Sequence, residues 1–259
     1  MFDLSGVSAE ELPYVGMLQA VLGVIDTENY EYGELFNEIN MYTGGISTSI
    51  ELYPDVTKVK EKDFRATFEI KSKALYDKLP IAFAMMQEIL TKSNLRDEKR
   101  LLEILSMAKS RLQMRFQSSG HATAAGRALA YTSPLSKFKD LTNGIEYYEV
   151  VKRVEEHFEE EKEMLMATLN KLAKQIFRSD NMMVSFTAER QGVEQLKEEI
   201  PKIKEALYTE KVEQSPCILH CKKRNEGLKT ASKVQYVARA GNFIDAGHSY
   251  TGAFQILRV

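Results

Sequence analysis

Hydrophobic positions recur along the chain with two periods, and the changes of period divide it into segments. Near the start, Val15, Leu18, Val21 and Leu22 share one side of a predicted helix that runs to about Leu22. It opens on Ser8-x-x-Glu11, a capping-box pattern. An apolar stripe of this kind predicts packing against a sheet. Pro13 falls late for a helix start, so an irregular first turn is expected. A second helix, over about Tyr32 to Met41, places Leu35, Phe36 and Ile39 inward and breaks at Gly44-Gly45. Ahead of both, Phe2-Asp3-Leu4 reads as the tail of a strand.

Strict alternation follows. Ile46, Thr48, Ile50 and Leu52 face one way, and Ser47, Ser49, Glu51 and Tyr53 the other. Phe64, Ala66, Phe68 and Ile70 repeat the pattern against Arg65, Thr67, Glu69 and Lys71. Two half-buried strands joined by a charged loop predict an antiparallel pair. From Leu75 to Phe177 the period becomes helical. Leu75, Leu79, Met86 and Leu90 mark one helix, Leu101, Leu105, Ala108 and Leu112 another, and Val150 to Phe177 one or two more. Met182-Val184-Phe186-Ala188 reads as a further strand, ahead of a helix carrying Val193, Leu196, Ile200 and Ile203 that Pro201 should kink or split.

Glu210 to Ser232 is polar and aperiodic and reads as a linker. Beyond it, Val234-Tyr236-Ala238-Ala240 alternates as a strand, and Ser249 to Val259 begins a helix. The expected class is α+β, an antiparallel sheet packed against a layer of long helices. The domain reading is 1–209 as that α+β domain, 210–232 as linker and 233–259 as the truncated start of another domain. Both ends fall inside elements, so the chain reads as a piece of something larger. The unpaired strand in 233–259 predicts pairing with this chain's own sheet, or self-association through a neighbouring copy.

Composition removes several function classes. The chain is 259 residues long, 44% hydrophobic and 28% charged, ordinary for a soluble globular protein. Thirty-five basic against 37 acidic residues, a net charge of −2, give no electrostatic case for nucleic acid or an anionic membrane. No apolar run is long enough to span a bilayer. The two cysteines, Cys217 and Cys221, suit a reducing compartment better than a disulfide framework.

Candidate chemistry is sparse. His157 to Glu161 imitates a zinc signature with Glu161 in place of the second histidine, but it lies in the acidic run Glu155 to Glu163 and reads as a solvated helix face. Cys217-x-x-His220-Cys221 offers three soft ligands without a nearby fourth, so it reads as linker with incidental thiols. Lys222-Lys223-Arg224 lacks interleaved aromatics and reads as solvated. Gly44-Gly45 lacks the phosphate-loop frame and suits a turn. Met85, Met86, Met107, Met114 and Met164 fall in helical segments, where core filling is the default. His121 and Arg127, with Tyr131, follow a predicted helix break at Ser118-Ser119-Gly120. They could hold substrate or an interdomain carboxylate, or they could cap a helix and pair within the fold.

Four segments carry a resemblance: Asp3 to Gly23, Thr43 to Ser47, Ser119-Gly120-His121 with Arg127, and Asp180-Asn181-Met182. In order and spacing they resemble the insulinase/pitrilysin superfamily of zinc peptidases, within it the presequence-protease group. That resemblance implies a clam-shell of four related α+β domains. Its first half holds zinc through H-x-x-E-H, where two histidines on one helical face grip the metal and the glutamate activates water. The matching helix here offers Leu12, Tyr14, Gly16, Met17 and Leu18, none of which can do either. The chain therefore resembles the third domain and the start of the fourth, in the non-zinc half. No catalytic or metal-binding residue carries over, and the family's Arg/Tyr substrate segment would lie beyond Val259. The implied function is a non-catalytic wall of a chamber that degrades short unstructured peptides. Zinc would reside in the full-length parent, and the remaining domains of the same polypeptide and the peptide would be its partners. The alternative is a structural module akin to inactive processing-peptidase subunits. The cytoplasm or an organelle matrix is the expected location.

Overall fold

The chain enters its first helix as the capping pattern predicts. The Ser8 amide and hydroxyl both donate to Glu11 Oε2, at 3.4 and 2.8 Å. A short 3₁₀ turn, Ala9–Glu11, then leads into α1, Leu12–Val21, with Pro13 in its first turn, where a missing amide hydrogen costs nothing. This computed structural model describes residues 1–55, 57–58, 63–212, 215–230, 234–249 and 251–256. The expected one-sided stripe on α1 is too narrow. Leu12, Pro13, Tyr14, Val15, Gly16, Met17, Leu18 and Val21 are all buried, because α4, α6, α7 and α8 surround the helix while β2 covers one side. A helix apolar all round belongs in a core.

The sheet is small and antiparallel, in the order β1-β3-β2. Strand β1 is Phe2–Asp3, β2 is Ile46–Pro54 and β3 is Phe64–Ser72. Phe68 lies opposite Ile50 on one side and Phe2 on the other. Phe2 and Phe68 each meet Phe177 edge-on, with centroids 5.3 and 5.1 Å apart. Such contacts add roughly 0.5–1.5 kcal/mol to the burial itself. The opposite face was expected to be solvated, yet Thr67 and Glu69 are buried. Tyr53 Oη and Thr67 Oγ1 donate to Glu69 Oε1 at 2.7 and 2.8 Å, and Lys71 Nζ lies 2.9 Å from Oε2. The carboxylate stays charged under cover because three donors replace its water.

Helices α2 (Tyr32–Tyr42), α3 (Leu79–Thr91), α4 (Glu98–Ser118), α5 (Gly120–Ala130), α6 (Pro134–Asn143), α7 (Ile145–Glu156), α8 (Phe158–Ile176) and α9 (Arg190–Ala206) complete the body. A four-residue α10 covers Ala253–Ile256. The architecture is α+β, as expected.

Several expectations need correction. Phe36 is 62% exposed, because Leu35 and Ile39 occupy the buried face of α2 and Phe36 lies about 100° round from Leu35. Leu75 precedes its helix and is exposed. Met107, Met114 and Met164 lie in helices but are exposed, unlike Met85. Pro201 does not split α9, which runs through it. Residues 182–188 form no strand. Met182 makes one bridge to Phe2, and the Met183 amide donates to Met1 O at 2.8 Å. The ladder stops there because β1 offers so few residues to pair with. Residues 234–240 form no strand either: Tyr236 rests on α5, and a helix has no strand edge to offer. Of the helix expected over 249–259, only Ala253–Ile256 is seen, and residues 250 and 257–259 lie outside the described residues, as do parts of the loop at 56–62 and of the linker.

Candidate functional site

The α1 helix does not fit a metal. Its side chains are hydrocarbon, thioether or phenol, buried among four other helices. Its one polar tip, Tyr14 Oη, accepts a hydrogen bond from Arg153 Nη2 at 3.1 Å. Arg153 also holds Glu161, Nε to Oε1 at 3.1 Å. Glu161 is thus engaged in an ion pair and does not face His157 as a second ligand. The imidazole of His157 sits at the start of α8, mostly exposed, with Glu160 Oε2 3.5 Å from Nδ1. Cys217 is half-buried while His220 and Cys221 are exposed. Burial and the nearby Glu10 push the Cys217 thiol up, away from the thiolate a metal would need. Among the described residues, no three His, Cys, Asp or Glu side chains converge as a ligand set.

The strongest polar constellation centres on Arg127. Helix α5 delivers its guanidinium, 9% exposed, into a junction with α6 and α7. Nη1 donates to Asp140 Oδ2 at 2.5 Å and to Glu146 Oε1 at 2.9 Å. Nε and Nη2 form a fork onto Glu226, at 2.6 and 3.1 Å. Tyr131 Oη donates to the same carboxylate at 2.6 Å, and its ring lies 4.9 Å from the guanidinium. Lys137 Nζ closes on Glu146 at 2.5 Å.

Local sequence explains the placement. Asp140 caps α7 by accepting from the Ile145 amide at 2.9 Å, across a turn at Gly144. Glu146 lies one residue into α7, and Arg127 near the end of α5. Burial alone would lower the Arg127 pKa, but the Glu226 and Glu146 hydrogen bonds and the Asp140 charge raise it above its ordinary value. Burial pushes Asp140 up despite its partner. Hydrogen bonds from Lys137 and Arg127 overcome burial and hold Glu146 low. The Arg127 fork, with Tyr131, pulls Glu226 down to about 2, and burial followed by the Glu226 contact pushes Tyr131 up to about 12. Each carboxylate faces a cation or a donor, so the cluster is built to hold charge in place rather than to move protons.

Arg127 is therefore occupied from within the chain. His121 is not part of the cluster: it is exposed, with Tyr236 beside it at a centroid distance of 6.0 Å. Sequence reasoning missed Asp140, Glu146 and Glu226. The Asp140-to-Ile145 cap was legible as a helix-start signal, but nothing local marks Glu226, which lies 99 positions from its partner.

Comparison with known proteins matches residues 1–154 to the family described as peptidase M16-C associated. Protein HypA of Clostridium perfringens is 32% identical over 99% of this chain and 26% of its own length. Presequence protease 1, chloroplastic/mitochondrial, of Arabidopsis thaliana is 23% identical over 99% of this chain and 24% of its own. The mitochondrial presequence protease of Drosophila melanogaster is 28% identical over 70% and 17%. The chain spans about a quarter or less of the length of these relatives. Among the described residues, no helix is long and apolar enough to cross a membrane.

Proposed function

The chain belongs to this peptidase-associated family, and we propose that it is a non-catalytic, chamber-wall portion of a zinc metallopeptidase that degrades short unstructured peptides. The observation that carries this reading is α1, which is filled with buried apolar side chains where a metal helix of the superfamily would present ligands. The small sheet carrying a thick helical layer agrees with a metallopeptidase-like two-layer domain. Relatives named as presequence proteases supply the substrate class.

A wall needs no reacting group. Enclosing a peptide excludes folded proteins by size and sequesters the reaction from bulk water. This domain would contribute shape, polar contacts and the connection to the remaining domains of the same polypeptide, while zinc and general-base chemistry would sit elsewhere in the longer protein. An organelle matrix or the cytoplasm suits the two reduced thiols, and three of the relatives' names place them in mitochondria or chloroplasts.

The test is a peptidase assay on the product of the complete gene, using short unstructured peptides and a folded protein as substrates. Cleavage of the peptides only, abolished by a chelator, is the expected result. A complete product that binds its partners but never cleaves would instead make this a structural module.

A further inference from the structure

The segment read from sequence as a linker is fastened to the body at three stations. At the first, the Ser215 amide donates to Gly6 O at 3.0 Å, and Cys217 and Leu219 pack against the hydrophobic core. The second is the fork of Arg127 on Glu226, reinforced by the Tyr131 hydroxyl. The third is Tyr236, which lies so close over the start of α5 that a Cβ on Gly120 would meet its Cδ2 and Cε2 at 2.7 Å. Residues 231–233, between the last two stations, lie outside the described residues.

We propose that Arg127 and Tyr131 form a carboxylate latch that holds Ser215 to Tyr236 as a strap across the helical body, fixing where the chain after Tyr236 departs. The chemistry divides within one side chain. Nη1 staples α5 to α6 and α7 through Asp140 and Glu146, and only Nε and Nη2 serve Glu226. Losing Glu226 therefore leaves the body's own staple intact. Side-on, charge-assisted pairs of this kind are the strong class of hydrogen bond, and their planar geometry sets orientation as well as affinity. A flexible tether as long as residues 210–232 would let whatever follows wander by about 26 Å. A latched strap removes most of that freedom. This inference stands on the contacts alone and does not depend on the chamber reading.

Cys217, tucked beneath the strap, reports its opening, and exposed Cys221 serves as the internal reference. The experiment alkylates the full 259-residue chain under native conditions and follows both thiols by peptide mass spectrometry, alongside hydrogen exchange. Glu226→Ala should raise the Cys217 rate relative to Cys221 by about ten-fold, the order expected for losing a charge-assisted hydrogen bond. Exchange across 215–230 should rise while α1 and α8 stay protected. Gly120→Ala, which displaces Tyr236, should raise exchange over 234–243. An unchanged Cys217 ratio in Glu226→Ala overturns the latch. So does loss of protection in α1 and α8 together with the strap, which would place Glu226 in the core's own cooperative unit.

Discussion

A Cβ on Gly16 would lie 2.8 Å from Cε2 of Tyr147, and 2.5 Å from the carbonyl oxygen of Thr142. The centre of α1 is therefore pressed against the α6–α7 junction with no room for one more carbon. Tyr147 is itself buried. Gly16→Ala gains up to about 1 kcal/mol of helix propensity but meets backbone, which cannot swing aside, and overpacking costs roughly 1–3 kcal/mol. Net destabilisation of about 1–2 kcal/mol is expected. Gly33, in α2, has open space within 4 Å of the point where a Cβ would stand, so Gly33→Ala should be neutral or mildly stabilising. Urea denaturation of the two variants checks the contrast.

Leu18→Asp should unfold the domain or cost several kcal/mol, because the side chain is fully buried and a carboxylate there has no partner. Glu160→Ala should stay within about 0.5 kcal/mol, since Glu160 is solvated apart from its loose approach to His157. Chemical denaturation midpoints decide it, and equal shifts in the two variants would contradict the assignment of helix faces.

The legible part of the fold is the part set by local pattern. The alternation of Ile46 to Leu52 and Phe64 to Ile70 fixes β2 and β3 because a one-residue slip would turn every apolar side chain outward. The Ser8–Glu11 box fixes the entry to α1. Illegible were features decided by distant neighbours. Whether 182–188 becomes a strand depends on how much of β1 is there to pair with, and the residues themselves do not encode that. Phe36 and Met114 look like core on a helical wheel, yet nothing packs over them. The candidate site divides in the same way: Arg127 was singled out from its surroundings, whereas Glu226 carries no local signal and is found only by its contact.

The Glu226 latch has a definite pH signature. Its folded-state pKa is depressed to about 2 by Arg127 and Tyr131, below the usual carboxylate range of about 4.3. The stabilisation is therefore complete above the unfolded value and is lost as pH falls toward the folded one. The stability gap between the parent chain and Glu226→Gln should be constant above about pH 5.5 and close between there and about pH 2. Denaturation curves across that range test the sign. A gap that widens on acidification would contradict it.

Removing residues 233–259 should leave the sheet and helices α1 to α9 folded, because the described part of this stretch adds no strand to the sheet. Any self-association that runs through this stretch should be lost. Calorimetry and sedimentation of the truncated chain against the full chain are the measurements. A cooperative loss of the main transition would show that the body needs this stretch.

The central claim is that this chain contributes shape without metal chemistry, and its most direct test is metal content. The 259-residue chain, purified without chelator and measured by elemental mass spectrometry after exposure to equimolar zinc and desalting, should carry far less than one zinc per chain. One tightly held zinc per chain, lost on replacing His157 or Cys217, would contradict the account.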